Sequence, residues 1–229
     1  MLQRLADEIW TADGPVVATA GFRYPTRMAL IRLADGGLFV WSPTPLSPEL
    51  KTEVDALGPV RAIVAPNSLH HLFLGDWATA YPDAGLFAAP GLRRKRPDLS
   101  FDGELTDTPD AIWSTDIAQV VVRGNAITTE VVFLHHRSGT VIFTDLLQQF
   151  PPGWFRGWRG LIARLDLMTQ PEAEVPRKFR TAFLNRRAAR AALRRILAWP
   201  AENVLMAHAP PVLGDGRAFL ARRFRWLGL

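Results

Sequence analysis

Hydrophobic positions along the chain fall into short runs separated by turn-forming residues, and the runs alternate between strand-like and helix-like spacing. Residues 8–40 contain β-type apolar runs with turns at Asp-Gly-Pro (13–15) and Asp-Gly-Gly (35–37), which predicts a meander of antiparallel strands. The Ser-Pro-Glu start at 47–49 predicts a helix that ends at Gly58-Pro59. A buried strand at 60–65 and a helix at 72–81 follow.

The rest of the chain contains a second round of strands with helices between them. Its pattern predicts a long helix at 176–199, a closing helix at 218–227, and strands at 86–89, 117–122, 128–135, 140–144 and 204–207. These elements predict two sheets packed face to face with helices on both outer sides. No composition shift marks a boundary, so we expect a single domain over residues 1–229.

Polar side chains follow the predicted strands at the points where they end. His70 and His71 come after the 60–65 strand, Asp145 ends the 140–144 strand, and His208 ends the last strand. Asn125 lies in another strand-to-strand turn. Such strand ends are where α/β architectures usually place their chemistry, and imidazole with carboxylate can bind a metal. The alternative is that the two adjacent histidines only cap a turn.

Composition narrows the chemistry and the location. The absence of cysteine excludes disulfides and thiolate ligands, so any metal must be held by histidine and carboxylate. No apolar run approaches the roughly 18 to 20 residues that span a bilayer. The first residues carry acids and lack an apolar core, which is not typical of a secretory signal. We therefore expect a cytoplasmic protein.

Two segments carry unusual side chains. Residues 177–195 contain eight basic residues and no acid, which suits a solvated helix face, nucleic acid or an anionic membrane. Residues 149–168 are rich in aromatics, with Trp154 and Trp158 among arginines. This segment could lie on a membrane, but we favour a helical cover, part of an insert at about 149–199, over the mouth of a site near Asp145.

Arg186 and Arg190 fall within the apolar stripe of the predicted 176–199 helix, formed by Phe179, Phe183, Leu193 and Leu197. Buried guanidinium groups need a partner, so we expect them to bind an anion such as phosphate or carboxylate, or to pair with an acid.

The order of these features resembles the metallo-β-lactamase fold, and more narrowly the DUF4336 domain group. The resemblance rests on residues 65–73 (Ala-Pro-Asn-Ser-Leu-His-His-Leu-Phe), 81–84 (Tyr-Pro-Asp-Ala) after Trp77, and 143–146 (Phe-Thr-Asp-Leu), with Ala-His-Ala at 207–209. It implies an α+β fold, a four-layer αββα sandwich of two mixed sheets flanked by helices.

The resemblance also implies a metal site. Hydrolases of that fold bind two metals through His-x-His-x-Asp-His, a Gly-His turn, a bridging aspartate and a last histidine. If His71 takes the final position of the motif, then His70 replaces its aspartate, Pro66 and Ser68 replace its first histidines, and Asn125 replaces the turn histidine. The resemblance then leaves four ligands for one metal: His70, His71, Asp145 and His208.

Three hypotheses follow. The first is a single-metal hydrolase-like protein with Zn²⁺ or Fe²⁺, in which Asp145 binds the metal or orients a water, and a small-molecule substrate or anion is the partner. Asn67, Asn125, Arg186, Arg190, Trp154 and Trp158 are then expected to line the pocket or bind an anion. The second is a non-catalytic small-molecule or anion-binding protein on the same fold. The third, and least favoured, is a nucleic-acid or membrane-surface protein, because no aromatic side chains interleave with the basic helix as a stacking platform.

Overall fold

The computed structural model describes residues 1–229, and its strands form two mixed sheets. The first sheet has seven strands in sequence order: β1 (Gln3–Ala6), β2 (Ile9–Thr19), β3 (Phe22–Arg32), β4 (Leu38–Trp41), β5 (Val60–Ala65), β6 (Gly85–Ala88) and β7 (Gly103–Glu104). β1 to β4 are antiparallel, whereas β4 to β7 are parallel.

The second sheet has four strands in the order β11-β10-β9-β8: β8 (Ile117–Val122), β9 (Glu130–His135), β10 (Thr140–Gln148) and β11 (Asn203–His208). β10 pairs in parallel with β11 and antiparallel with β9. The carboxyl ends of β10 and β11 therefore meet at one edge of this sheet.

Helices cover both outer faces. They are α1 (Pro48–Leu57), α2 (Leu74–Ala80), α3 (Leu92–Lys95), α4 (Gly157–Leu165), α5 (Arg177–Ala182), α6 (Arg186–Leu197) and α7 (Gly216–Phe224), with a 3₁₀ turn at Arg225–Leu227. α1 to α3 pack on the first sheet through residues such as Val54 and Trp77, and α5 to α7 pack on the second through residues such as Phe179 and Ile196. A third apolar layer, including Trp41 and Phe133, fills the space between the sheets. The predicted αββα sandwich is confirmed.

The predicted turn at residues 13–15 is wrong. Gly14-Pro15 lies inside β2, where the register against β3 shifts between Asp13 and Val16. A proline cannot donate to the ladder, and a β-bulge accommodates it without ending the strand. The chain reverses instead at Ala20 and Gly21, both with positive φ, as a tight hairpin requires.

The predicted 176–199 helix is interrupted. α5 ends at Ala182 and α6 starts at Arg186, where the Asn185 side chain accepts a hydrogen bond from the Ala188 amide at 3.0 Å. The interruption changes which face of the helix is turned inward. Ala189, Leu193 and Ile196 of α6 face the core, and Arg186 is exposed.

Replacing the helix cap Asn185 by alanine should lower the free energy of unfolding by about 1 kcal/mol, the usual cost of losing such a cap. Arg186→Ala is the matched control at the next, exposed position, where we expect a change below about 0.5 kcal/mol. Denaturant unfolding of both variants measures this. Equal effects would contradict the capping role.

Candidate metal centre

Three side chains converge where β5, β10 and β11 end. His70 lies in the loop after β5, Asp145 lies in β10, and His208 is the last residue of β11. The Nε2 atoms of His70 and His208 are 3.2 Å apart. The Asp145 carboxylate is 3.4 Å from His70 Nε2 through Oδ2 and 3.3 Å from His208 Nε2 through Oδ1. Their candidate ligand atoms all lie within 4.8 Å of one another.

Hydrogen bonds behind the two rings orient them. His208 Nδ1 donates to the Pro25 carbonyl at 2.8 Å. His70 Nδ1 lies 2.7 Å from Ser42 Oγ, and this hydroxyl itself donates to the Arg27 carbonyl at 3.3 Å, so it accepts from His70. Ser42 has a positive φ of 51°, an uncommon conformation outside glycine, which directs its side chain toward the ring. These contacts turn the Nε2 atom of each ring toward the centre of the cluster.

Asp145 is held by two side-chain amides. Asn67 Nδ2 donates to Oδ2 at 2.7 Å, and Gln148 Nε2 donates to Oδ1 at 3.3 Å. The Asn67 carbonyl oxygen also accepts hydrogen bonds from the backbone amides of Leu69 and His70. Asn67 therefore fixes the histidine loop and the carboxylate relative to each other.

The cluster is buried, and its surroundings favour an ionised Asp145 and a neutral His70. Burial alone would raise the pKa of Asp145, but the neighbouring His70 and His208 outweigh it and hold the pKa well below its usual range. Burial lowers the pKa of His70, with Asp145 opposing this effect only in part. Two Nε2 atoms 3.2 Å apart beside a carboxylate need either a proton on one ring or a metal ion between them.

The donor set fits a single divalent metal. Atoms bound about 2.0 to 2.2 Å from one zinc ion at near-tetrahedral angles lie about 3.3 to 3.6 Å apart, close to the separations of 3.2 to 3.4 Å found here. Two imidazoles and one carboxylate also suit non-haem Fe²⁺. Ser42, Pro25, Asn67 and Gln148 provide the outer hydrogen bonds that usually orient such ligands.

A second buried carboxyl group supports the backbone of Asp145. Glu130, at the start of β9, accepts hydrogen bonds from the amides of Thr144, Asp145 and Leu146 at 2.8, 2.8 and 3.1 Å. These amides lie where the pairing of β10 with β11 becomes irregular, between Phe143 and Gln148. Burial and the Asp145 charge raise the pKa of Glu130 to about 8, against the effect of the three amides.

His71 does not join the cluster, contrary to the prediction. Its Nδ1 lies 3.3 Å from Arg96 Nη1, and the same guanidinium donates to the His71 carbonyl. Burial, Lys95 and Arg96 lower the pKa of His71 to about 4. With His70 at the position that the resemblance gave to His71, the motif shifts by one residue. Ala65, Asn67 and Leu69 then replace its two leading histidines and its aspartate.

Five other predicted pocket residues (Asn125, Arg186, Arg190, Trp154 and Trp158) do not line the cavity. Asn125 donates to the Phe179 carbonyl and accepts from the Ile127 amide. Arg186 is exposed, and Arg190 donates to the Leu227 carbonyl, so neither forms the expected anion site. Trp154 donates to the Arg23 carbonyl, while Trp158 is largely exposed.

A cavity of about 500 Å³ opens directly over the cluster. Its walls are mainly apolar, from Phe22, Leu69, Phe73, Ile127, Ile162 and Met168 among others. Lys178 also lines it, and its ammonium lies 3.3 Å from the Tyr24 hydroxyl and 3.4 Å from Asp166. The cavity therefore has the metal-competent cluster at its base, mainly apolar walls, and the ammonium groups of Lys178 and Lys95 in its lining.

Ser42, Glu130, Gln148 and Lys178 are not singled out by the sequence analysis, although Ser42 and Glu130 carry a signal. Ser42 follows β4 directly, which is the same strand-end position that identified His70, Asp145 and His208. Glu130 is the one acid in an apolar strand, a pattern that indicates a buried carboxyl with a specific partner. Lys178 carries no such signal, because in the sequence it is one of eight basic residues between positions 177 and 195.

Comparison with solved structures shows the same fold. The chain is similar over its full length to a metallo-beta-lactamase from Pontibacter korlensis, covering 98% of it at 14% identity and a TM-score of 0.63. It is similar to the metallo-beta-lactamase FIM-1 from Pseudomonas aeruginosa in its mono-zinc form, covering 94% at 11% identity with a TM-score of 0.63. It also matches a metal-soaked Flv1 flavodiiron core from Synechocystis sp. PCC6803, covering 60% at 12% identity with a TM-score of 0.66.

The chain is a metallo-β-lactamase-fold protein with a His-Asp-His cluster. Within that fold, residues 6–94 match the family described as "Domain of unknown function (DUF4336)". Both parts of the resemblance seen in the sequence are thereby confirmed. A comparison with curated proteins gave no match.

Proposed function

We propose that the protein is a hydrolase-like enzyme that holds one divalent metal, Zn²⁺ or Fe²⁺, between His70, Asp145 and His208. The observation that carries the proposal is the convergence of two Nε2 atoms and a carboxylate at 3.2 to 3.4 Å. A second metal is not part of the proposal. The motif positions that would hold it carry Ala65, Asn67 and Asn125. Alanine has no ligand atom, and the two amides are bonded to Asp145 and to the Phe179 carbonyl.

A metal bound there supplies Lewis-acid chemistry, acidifying water and polarising a carbonyl or phosphoryl oxygen. The chain provides the setting. Asp145, the predicted catalytic residue, contributes negative charge at the base of the cavity, kept in place by Asn67 and Gln148. The Lys178 ammonium and the Tyr24 hydroxyl can donate to an anionic group of a small-molecule substrate, while the apolar walls exclude bulk water.

The alternative is a non-catalytic protein that binds a small molecule or anion in the same cavity. The replaced ligands of the two-metal motif favour it, because the hydrolases that the fold resembles use both metals. Elemental analysis of protein purified without chelator separates the two proposals. About one equivalent of zinc or iron supports the enzyme, and its absence supports the binding protein. Turnover of ester, lactone and phosphoester substrates by the loaded protein then tests catalysis.

Removing the hydroxyl that orients His70 should weaken metal binding without preventing it. We expect Ser42→Ala to lower metal affinity by about 10- to 100-fold, the usual effect of losing an outer hydrogen bond to a ligand. Ser47→Ala is the matched control, since Ser47 caps α1 away from the site and should alter only stability. Competition with a chromogenic chelator measures both affinities. Unchanged affinity in Ser42→Ala would count against His70 as a ligand.

No helix in the structure combines the length and the apolar character needed to cross a bilayer. The cytoplasmic location stays a proposal.

A further inference from the structure

α4 turns an apolar stripe toward solvent. Trp158, Leu161, Ile162 and Leu165 repeat at helical spacing on one face, and Trp158, Leu161 and Leu165 are 58%, 51% and 58% exposed. The helix buries only Ala163. A surface helix normally places such a stripe against the core, so an outward stripe indicates a binding face.

This stripe borders the cavity over the metal cluster. Ile162 lines the cavity wall, and the Trp158 ring packs against Phe22 beside the tip of the β2–β3 hairpin, with the centroids 6.1 Å apart. Leu72 and Ile127 belong to the same cavity lining and are also largely exposed. Together they form an apolar rim that continues from α4 around the mouth.

Positive charge accompanies the apolar rim. Arg156, Arg159 and Arg164 belong to the α4 segment, and the chain contains no acid between Asp145 and Asp166. Asp166 lies 3.4 Å from the Lys178 ammonium, which offsets its charge. Lys95 adds a further exposed cation to the cavity lining, next to the exposed Arg93 and Arg94.

We propose that this rim docks on an anionic lipid bilayer, with the stripe of α4 inserted at the headgroup boundary and the cavity mouth facing the lipid. Tryptophan and leucine on one face flanked by arginine is the composition of interfacial helices, and basic side chains are attracted to anionic headgroups. A second copy of this chain is a poorer occupant, because a twofold interface would bring the same arginines together. The proposal does not depend on bound metal.

The test is vesicle sedimentation of the full chain, with and without chelator. We expect binding to phosphatidylcholine vesicles containing about 30 mol% phosphatidylglycerol, much weaker binding to phosphatidylcholine alone, and a decrease as salt is raised. The double variant Leu161→Glu, Leu165→Glu should lower the partition coefficient at least about tenfold. Leu213→Glu is the matched control, since Leu213 is 59% exposed beside the start of β11, at the other end of the strand from His208.

Three results would overturn the proposal. They are absence of binding to anionic vesicles, an equal loss in Leu213→Glu, and equal binding to vesicles without phosphatidylglycerol. Light scattering measures the oligomeric state and so tests whether a second copy of this chain covers the face. A dimer that the double variant dissociates, without vesicle binding by the parent protein, would make a second copy the occupant of this face.

Discussion

Replacing His208 by alanine is expected to abolish the binding of about one equivalent of divalent metal. His208 provides one of three ligands, and its Nε2 lies within 3.3 Å of both others. Losing a group that only hydrogen-bonds to a metal ligand lowers metal affinity by about 10- to 100-fold. Losing a ligand itself should therefore lower metal affinity by more than about 100-fold. Elemental analysis after gel filtration measures the bound metal.

His136→Ala is the matched control, because His136 lies exposed in the turn between β9 and β10. It should retain the full equivalent. Retention of metal by His208→Ala would remove the proposed centre. Two equivalents in the parent protein would show that a second site exists despite the replaced motif residues.

Replacing Glu130 by alanine is expected to destabilise the fold by at least about 3 kcal/mol, and to disturb the metal centre as well. The substitution leaves three buried amides, those of Thr144, Asp145 and Leu146, without an acceptor. Each unsatisfied buried group costs about 1 to 3 kcal/mol. Because these amides shape the backbone that presents Asp145, metal affinity should fall together with stability.

Denaturant unfolding compares this variant with Glu104→Ala, at the exposed end of β7, where the change should stay within about 0.5 kcal/mol. Glu130→Gln tests the charge pattern separately. It keeps the shape but turns an amide NH₂ group toward backbone N–H donors, so it should also destabilise. A loss below about 1 kcal/mol in Glu130→Ala would mean that water or a rearranged strand satisfies the amides.

The sequence by itself indicated the layers of the fold and the residues of the cluster, together with one residue, His71, that the cluster does not contain. Strand-like runs that end in polar residues identified Asp145 and His208, because the carboxyl ends of buried strands are where such folds usually place their chemistry. It also placed both His70 and His71 among the ligands, since both follow β5. The absence of cysteine restricted the ligands to histidine and carboxylate.

Tertiary structure alone decided between the two histidines. Adjacent loop residues point in different directions, and the hydrogen bonds from Asn67 to the backbone amides of Leu69 and His70 turn His70 inward toward Ser42 and His208. Arg96, which is close to His71 only in the folded chain, binds the His71 carbonyl and keeps this residue out of the metal cluster. Likewise, periodicity placed Arg186 and Arg190 on a buried stripe, but the interruption before α6 left Arg186 exposed. Sequence spacing fixes which residues share an element, whereas loop hydrogen bonds and helix breaks determine where each side chain points.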